Sequence, residues 1–364
     1  MATSASLEFA RSPHPAPRGI DERTAVLTNP GFGTAFSDHM VEIDFDAEQG
    51  WHNPRVVPYG PIALDPAAAV LHYAQEIFEG LKAYRLHDGG IALFRPEANA
   101  ARFNASARRL AMPEIHPDLF VEAVRQQVLA DADWFPTVDG GSLYLRPFMF
   151  ASEPFLGVRP ARAYKFLVIA SPAGNYFKSG APAVSLWVSE YTRAAPGGTG
   201  AAKCGGNYAS SLVPTAEAFA RGHDQVLFLD AAEHKWVEEL GGMNLFFVKS
   251  DGSLITPPLG GTILPGITRD SLMTLAREEG LTVREEPYSL DQWRAEAANG
   301  TLIETFACGT AAVVTPVGEV DGASGGWLIG DGTPGPVTQR VKSELIGIQY
   351  GHQPDPFGWV YKVA

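Results

Sequence analysis

The sequence predicts an α+β fold in two domains, and three observations carry that expectation. Strands outnumber helices and follow one another directly, unlike the alternation of a βαβ sheet. No Gly-x-Gly-x-x-Gly opens a helix after a strand, which argues against a dinucleotide fold. The 364 residues exceed one ordinary core, given ~100–200 residues per domain. The expected division is a smaller α/β domain over 1–174 with a flexible tail, a linker over 175–183, and a larger, strand-rich domain over 184–364.

In the first half, extended segments are expected at Val41–Phe45 and Ile62–Leu64, then a helix over Pro66–Phe78. A hairpin follows in LKAYRLHDGGIALFRP, turning on Asp88-Gly89-Gly90. Helices are expected over Pro96–Leu110, which opens on proline and stops before Pro113, and over Pro117–Ala132, with Leu119, Phe120, Val124 and Val128 at helical spacing. Strands Ser142–Phe150 and Tyr164–Ala170 complete this half. GNYFKSGAPA, rich in Gly and Pro, marks the linker.

The second half reads mostly as strands: Val184–Tyr191, Gln225–Asp230, Lys235–Leu240, Asn244–Val248, Ser253–Thr256, Leu281–Arg284, Leu302–Ala307 and Ala312–Val317. Helices are expected at Thr268–Glu279, closed by Gly280, at Asp291–Ala298 with Ser289 as cap, and at Val337–Gln349.

The formal charge of −13 disfavours nucleic acid and anionic lipid as partners, because like charges repel. No stretch reaches the ~18–20 apolar residues of a membrane span. Two cysteines, Cys204 and Cys308, cannot build a disulfide framework, and that usage fits a cytoplasmic protein. The opening MATSASLEFARSPHPAPRG lacks a signal-peptide core, and Glu8 with its prolines favours a flexible tail over a transit peptide.

Three segments could do chemistry. Lys203 lies in GGTGAAKCGGNYASS, among residues small enough to admit a bulky group. Burial there would lower the amine's pKa, and a neutral lysine can attack a carbonyl. On this segment alone, a lysine on a glycine-rich loop is the commoner reading. In VEELGGMNLFFV, Glu238 and Glu239 stand among apolar strand residues, where a carboxylate needs a cation or strong hydrogen bonds. Strand alternation places one of the two toward solvent. In TILPGITRDSL, a Pro265-Gly266 turn opens a helix whose first N–H groups suit a phosphate. CGTAA at 308–312 offers a second small-residue turn with a hydroxyl.

An aldehyde, a ring nitrogen and a phosphate together describe pyridoxal 5′-phosphate. The chain resembles the branched-chain amino acid aminotransferases, members of the fold-type IV pyridoxal-phosphate enzymes with a D-amino acid aminotransferase-like fold. The match runs from PGFGTAFSDHM to FGWV. The class signature runs from Glu239 through Asn244-Leu245-Phe246 and Leu254-Ile255-Thr256 to Gly266-Ile267-Thr268-Arg269, and HYAQEIFEGLKAYR, LYLRPF, EPFLGV and KCGGNYA mark the branched-chain group.

The resemblance implies that Lys203 forms the internal aldimine and shuttles the proton, Tyr208 bonds the phenolic oxygen, and Glu239 keeps the pyridine nitrogen protonated. It assigns the phosphate to Arg102, the backbones of Ile267 and Thr268, and Thr310; Arg108 and Arg109 read as a solvated helix face. Phe32, Tyr73, Phe78, Tyr144 and Tyr176 would wall the side-chain pocket. Arg146 would receive glutamate's distal carboxylate, and the Thr310-Ala311 turn the α-carboxylate. Tyr73 and the loop from Leu156 to Val158 would come from a partner subunit, so a homodimer is implied, with its active site between the domains. The substrates implied are leucine, isoleucine, valine and their 2-oxo acids, with glutamate and 2-oxoglutarate. No metal is called for. A D-amino acid aminotransferase or an aminodeoxychorismate-type lyase is the alternative within the fold. Two departures stand out: Ala312 and Thr315 replace a redox Cys-x-x-Cys of mammalian relatives, and Gly242 replaces a threonine of some others.

Overall fold

The structure, a computed structural model, describes residues 8–174 and 182–364. Most of the expected linker, and Tyr176, lie outside the described residues. Contacts divide the chain into two units. The first gathers 8–174 with Lys203–Gly205 and Gln349–Ala364; the second takes 182–202 and Gly206–Ile348. The division expected from sequence puts Lys203–Gly205 and the carboxyl end in the second domain. Two pairings account for the difference. Val360–Lys362 forms an antiparallel strand against Ile91–Phe94. The Lys203 carbonyl accepts from the N–H of Phe78 at 3.0 Å.

In the first unit the strands run in the order Ala10–Arg11, Gly50–Pro58, His39–Asp46, Ala163–Ala173, Ser142–Ala151, Leu81–Arg85, Ile91–Phe94 and Val360–Lys362. Glu76–Phe78 also pairs with Ser142–Ala151. The expected hairpin forms: Ala83 pairs with Leu93, the Asp88 carboxylate accepts from the Gly90 N–H at 2.9 Å, and Gly89 takes φ +87°. Helices Pro96–Arg109 and Pro117–Ala130 follow. The first buries Asn99, Arg102, Phe103 and Ser106 on one face, as spacings of three and four require.

One element differs in kind. The helix expected over Pro66–Phe78 is confined to Ala69–Tyr73. Ala74 turns left-handed at φ 48°, and Glu76–Phe78 then becomes a strand that buries Ile77 completely. Pairing with a long neighbouring strand outweighs what a five-residue helix can gain, since helices that short are marginal on their own. Ile62–Leu64 lies outside the strands. Strand Gly50–Pro58 is not among the expected elements because Pro54 interrupts it; the register shifts there, with Asn53 at φ 55°. Helices Ile20–Thr28 and Leu212–Ala220 are likewise additions to the expected set.

The second unit's sheet runs Val237–Leu240, Gln225–Leu229, Val184–Val188, Val313–Asp321, Leu302–Gly309, Asn244–Lys249, Ser253–Thr256 and Thr282–Glu285, with Trp327–Leu328 beside Val313–Asp321. Every residue of Asn244–Lys249 is buried. Phe246 stacks on Phe306 at 5.0 Å, and Phe247 meets Trp293 at 4.9 Å. Helix Ile267–Glu278 closes with Gly280 at φ +80°, and Ser289 caps helix Leu290–Asn299 by accepting from the Gln292 N–H. Among the described residues, no helix is long and apolar enough to cross a membrane.

Candidate active site

In the first unit, Lys203 is held through its backbone. Its N–H donates to Ser106 Oγ at 2.9 Å, its carbonyl accepts from Phe78, and the next N–H but one, of Gly205, donates to Glu76 Oε1 at 2.5 Å. Ser106, fully buried, donates in turn to the Arg102 carbonyl one helical turn earlier. The Lys203 amine stands 4.9 Å from the Phe78 ring centre. Arg146 lies over the same ring at 4.7 Å and donates to the Tyr144 hydroxyl at 3.1 Å. Phe32 packs edge-on against Tyr144 at 5.0 Å. Five of the residues named from sequence, Phe32, Phe78, Tyr144, Arg146 and Lys203, are thus neighbours.

Arg102 is buried and forms a two-pronged ion pair with Glu79, Nε to Oε1 at 2.7 Å and Nη2 to Oε2 at 2.8 Å. Burial alone would raise the Glu79 carboxyl, but Arg102, the charge of Lys203 and the amide of Asn99 hold it below the usual carboxylate range. Tyr73, Leu156 and Val158 are exposed. The Tyr73 hydroxyl donates to the Leu156 carbonyl.

In the second unit, Glu239 is buried and ion-paired with Arg193, itself buried. The Leu264 N–H donates to the same carboxylate at 3.2 Å, and the Asn244 side-chain amide donates to it at 3.5 Å. Asn244 also donates to the Leu264 carbonyl at 3.0 Å, tying the strand to the turn before helix Ile267–Glu278. A Cβ on Gly266 would fall 2.0 Å from Asn244 Oδ1, so glycine is required by this approach. Ile267 and Thr268 begin that helix, where N–H groups lack intrahelical partners. A side chain at Gly242 would touch the Tyr208 ring at 3.9 Å, and one at Gly309 would meet the Gly242 carbonyl at 3.4 Å. Thr310 and Ala311 follow Gly309 directly. Tyr208, Gly242 and the start of the 309–311 turn therefore lie side by side.

One expectation is overturned. Neither glutamate of the Glu238-Glu239 pair faces solvent: they are 7% and 3% exposed. Both faces of strand Val237–Leu240 are covered, so alternation selects between two interiors. Glu238 accepts from Thr262 Oγ1 at 2.5 Å, and burial raises its pKa against that bond.

The sequence does not single out Arg193, Glu79, Ser106 or Glu76. Glu79 carries one signal, a charge between apolar residues in IFEGL. Arg193, in a loop of small and polar residues, carries none.

The first unit offers a lysine amine against an aromatic face and a buried guanidinium, and the second a buried carboxylate and a glycine-led helix start, each a group of the kind that pyridoxal phosphate takes. Residues 76–320 match the family described as amino-transferase class IV. The branched-chain-amino-acid aminotransferase of Mycolicibacterium smegmatis is 54% identical over 99% of each chain. The Escherichia coli branched-chain amino acid aminotransferase superposes with a TM-score of 0.76 at 33% identity, covering 90% of this chain and 99% of that one. A T.th. branched-chain amino acid aminotransferase complexed with N-(5′-phosphopyridoxyl)-L-glutamate gives 0.72 at 30% identity, covering 88% and 98%.

Proposed function

The chain belongs to the amino-transferase class IV family, and we propose that within it the protein is a branched-chain amino acid aminotransferase that uses pyridoxal 5′-phosphate. It exchanges the amino group between leucine, isoleucine or valine and 2-oxoglutarate. The observation that carries this reading is the 54% identity to a branched-chain enzyme along 99% of both chains. The adjacency of Lys203, Phe78, Tyr144 and Arg146 supports it.

Bound cofactor supplies an electron sink that lets the substrate's α-proton leave. The protein's residues do the rest. Lys203 would hold the cofactor through Nζ at its carbonyl carbon, and once the substrate's amine takes that place the freed Nζ would carry the proton taken from the α-carbon. Three hydrogen bonds to the backbone at Lys203 and Gly205 limit where that amine can reach. Glu239 holds a proton on the ring nitrogen, and Tyr208 bonds the phenolic oxygen. Arg102, the N–H groups of Ile267 and Thr268, and Thr310 take the phosphate. Phe32, Phe78 and Tyr144 offer an apolar wall to a branched side chain. Arg146 receives the distal carboxylate when glutamate binds, and the Ala311 N–H the α-carboxylate. Tyr73, Leu156 and Val158, exposed in one chain, complete the site of a second copy. Acidic charge and two buried free cysteines support a cytoplasmic setting.

A panel of amino donors tests the reading. L-Leucine, L-isoleucine and L-valine with 2-oxoglutarate should yield glutamate, whereas turnover of D-alanine without L-leucine would overturn it.

A further inference from the structure

Arg102, just assigned to the cofactor's phosphate, is paired with a buried anion that this reading leaves without a role. Glu79 follows strand Glu76–Phe78 and is completely buried. Its carboxylate accepts from Arg102 Nε and Nη2 at 2.7 and 2.8 Å, from Asn99 Nδ2 at 2.7 Å and from the Gly80 N–H at 3.1 Å. Asn99 precedes Arg102 by three residues on the same buried helix face, so the helix that carries the guanidinium also fixes the carboxylate that orients it. Gly80 is equally constrained, since a Cβ there would lie 2.2 Å from the Tyr144 hydroxyl oxygen.

A guanidinium is a planar fork of five N–H donors. Gripped along its Nε–Nη2 edge, it cannot swing, and its Nη1–Nη2 edge keeps a fixed direction. A buried arginine also needs an anion in the absence of any phosphate, because an unpaired interior charge is costly. Glu79 meets both needs at once.

We propose that Glu79 is a positioning residue for the phosphate monoester of the cofactor: it holds Arg102 by one edge so that the other is set to take phosphate. This rests on the reading of Arg102 as a phosphate ligand. Glu79 touches no substrate. It acts through Arg102, so removing it should matter only while Arg102 is present.

The test is a double-mutant cycle on the full chain freed of cofactor, titrated with pyridoxamine 5′-phosphate and followed by the ligand's fluorescence. That probe has no aldehyde, so it reports the phosphate grip apart from bond formation at Lys203. Glu79→Gln should weaken binding by about tenfold or more. Arg102→Gln should weaken it at least as much, and the double variant should bind like Arg102→Gln alone. Unchanged or tighter binding by Glu79→Gln overturns the proposal, as does a double variant weaker than Arg102→Gln by the full Glu79 effect, the mark of a merely structural role. If Glu79→Gln alone fails to fold, Glu79→Asp, which keeps the charge but shortens its reach to Arg102, takes its place in both arms of the cycle with the same expected and overturning outcomes. Unchanged binding by Arg102→Gln would instead refute the phosphate assignment itself, and the inference with it.

Discussion

Replacing Glu239 and Glu238 one at a time by glutamine separates two carboxylates that the sequence distinguishes only by spacing. Glu239 is 3% exposed and paired with an equally interior Arg193. Glutamine keeps the size and an acceptor but leaves a buried guanidinium without its anion, at a stability cost of ~3–5 kcal/mol. At ~2–4 °C per kcal/mol for a unit of this size, the melting temperature should fall by roughly 6–20 °C. On the role proposed for Glu239 at the ring nitrogen, loss of its charge should remove ~3 kcal/mol of transition-state stabilisation, about two orders of magnitude in turnover. Glu238 differs. Its Oε1 has Thr262, while its Oε2 has no hydrogen-bond partner among the described residues. Burial raises its pKa, and glutamine keeps the size and an acceptor for Thr262, so Glu238→Gln should stay within ~1 kcal/mol of the parent and near its turnover. The assay is a stopped-flow single turnover with leucine at saturating cofactor, below both melting temperatures, with melts followed by circular dichroism. A stalled half-reaction in Glu238→Gln with normal kinetics in Glu239→Gln would refute the reasoning.

Other outcomes follow from particular residues. Borohydride reduction followed by peptide mass spectrometry should place a pyridoxyl group on Lys203, and Lys203→Ala should lose transamination while keeping its fold; an adduct at Lys178 or Lys235 would contradict the assignment. Cys204 and Cys308 are 3% and 1% exposed, and burial pushes the Cys308 thiol up, so Ellman's reagent should label both only in denaturant and mild peroxide should leave activity unchanged. Asp230 is desolvated, yet the N–H groups of Glu233, Lys235, Trp236 and Ala232 hold its pKa to about 2, below the ordinary 3.8. Its contribution is therefore present above that ordinary value and lost as pH falls toward about 2. Asp230→Asn should lower the melting temperature at neutral pH and flatten its acid dependence in that window; an unaltered slope would count against it. Gly335→Ala would put a Cβ 2.1 Å from the Glu304 carboxyl carbon, and Glu304 accepts from the N–H groups of Val337 and Thr338 at the start of helix Pro336–Gln349. Displacing that carboxylate should cost ~1–3 kcal/mol in a denaturant melt, and an unchanged midpoint would argue otherwise.

What the sequence determined by itself was local. The hairpin on Asp88-Gly89-Gly90 follows from turn chemistry, the Ser289 cap from a hydroxyl before a helix, and strand Ser253–Thr256 and helix Pro96–Arg109 from their own periods. The amino-transferase class IV family was legible in the run from Glu239 to Arg269, because every residue of that signature lies on one stretch of chain. Tertiary structure decided whatever needed a distant partner. Glu76–Phe78 is a strand because Phe148–Phe150 pairs with it, a neighbour absent from its own sequence window. Both Glu238 and Glu239 are interior because segments from elsewhere cover both faces of their strand, and a period of two says only that the faces differ. Arg193 meets Glu239 across 46 residues and Arg102 meets Glu79 across 23. An unpaired buried charge is too costly to persist, so each anion had to find its cation; which cation it found was set by how the chain returns.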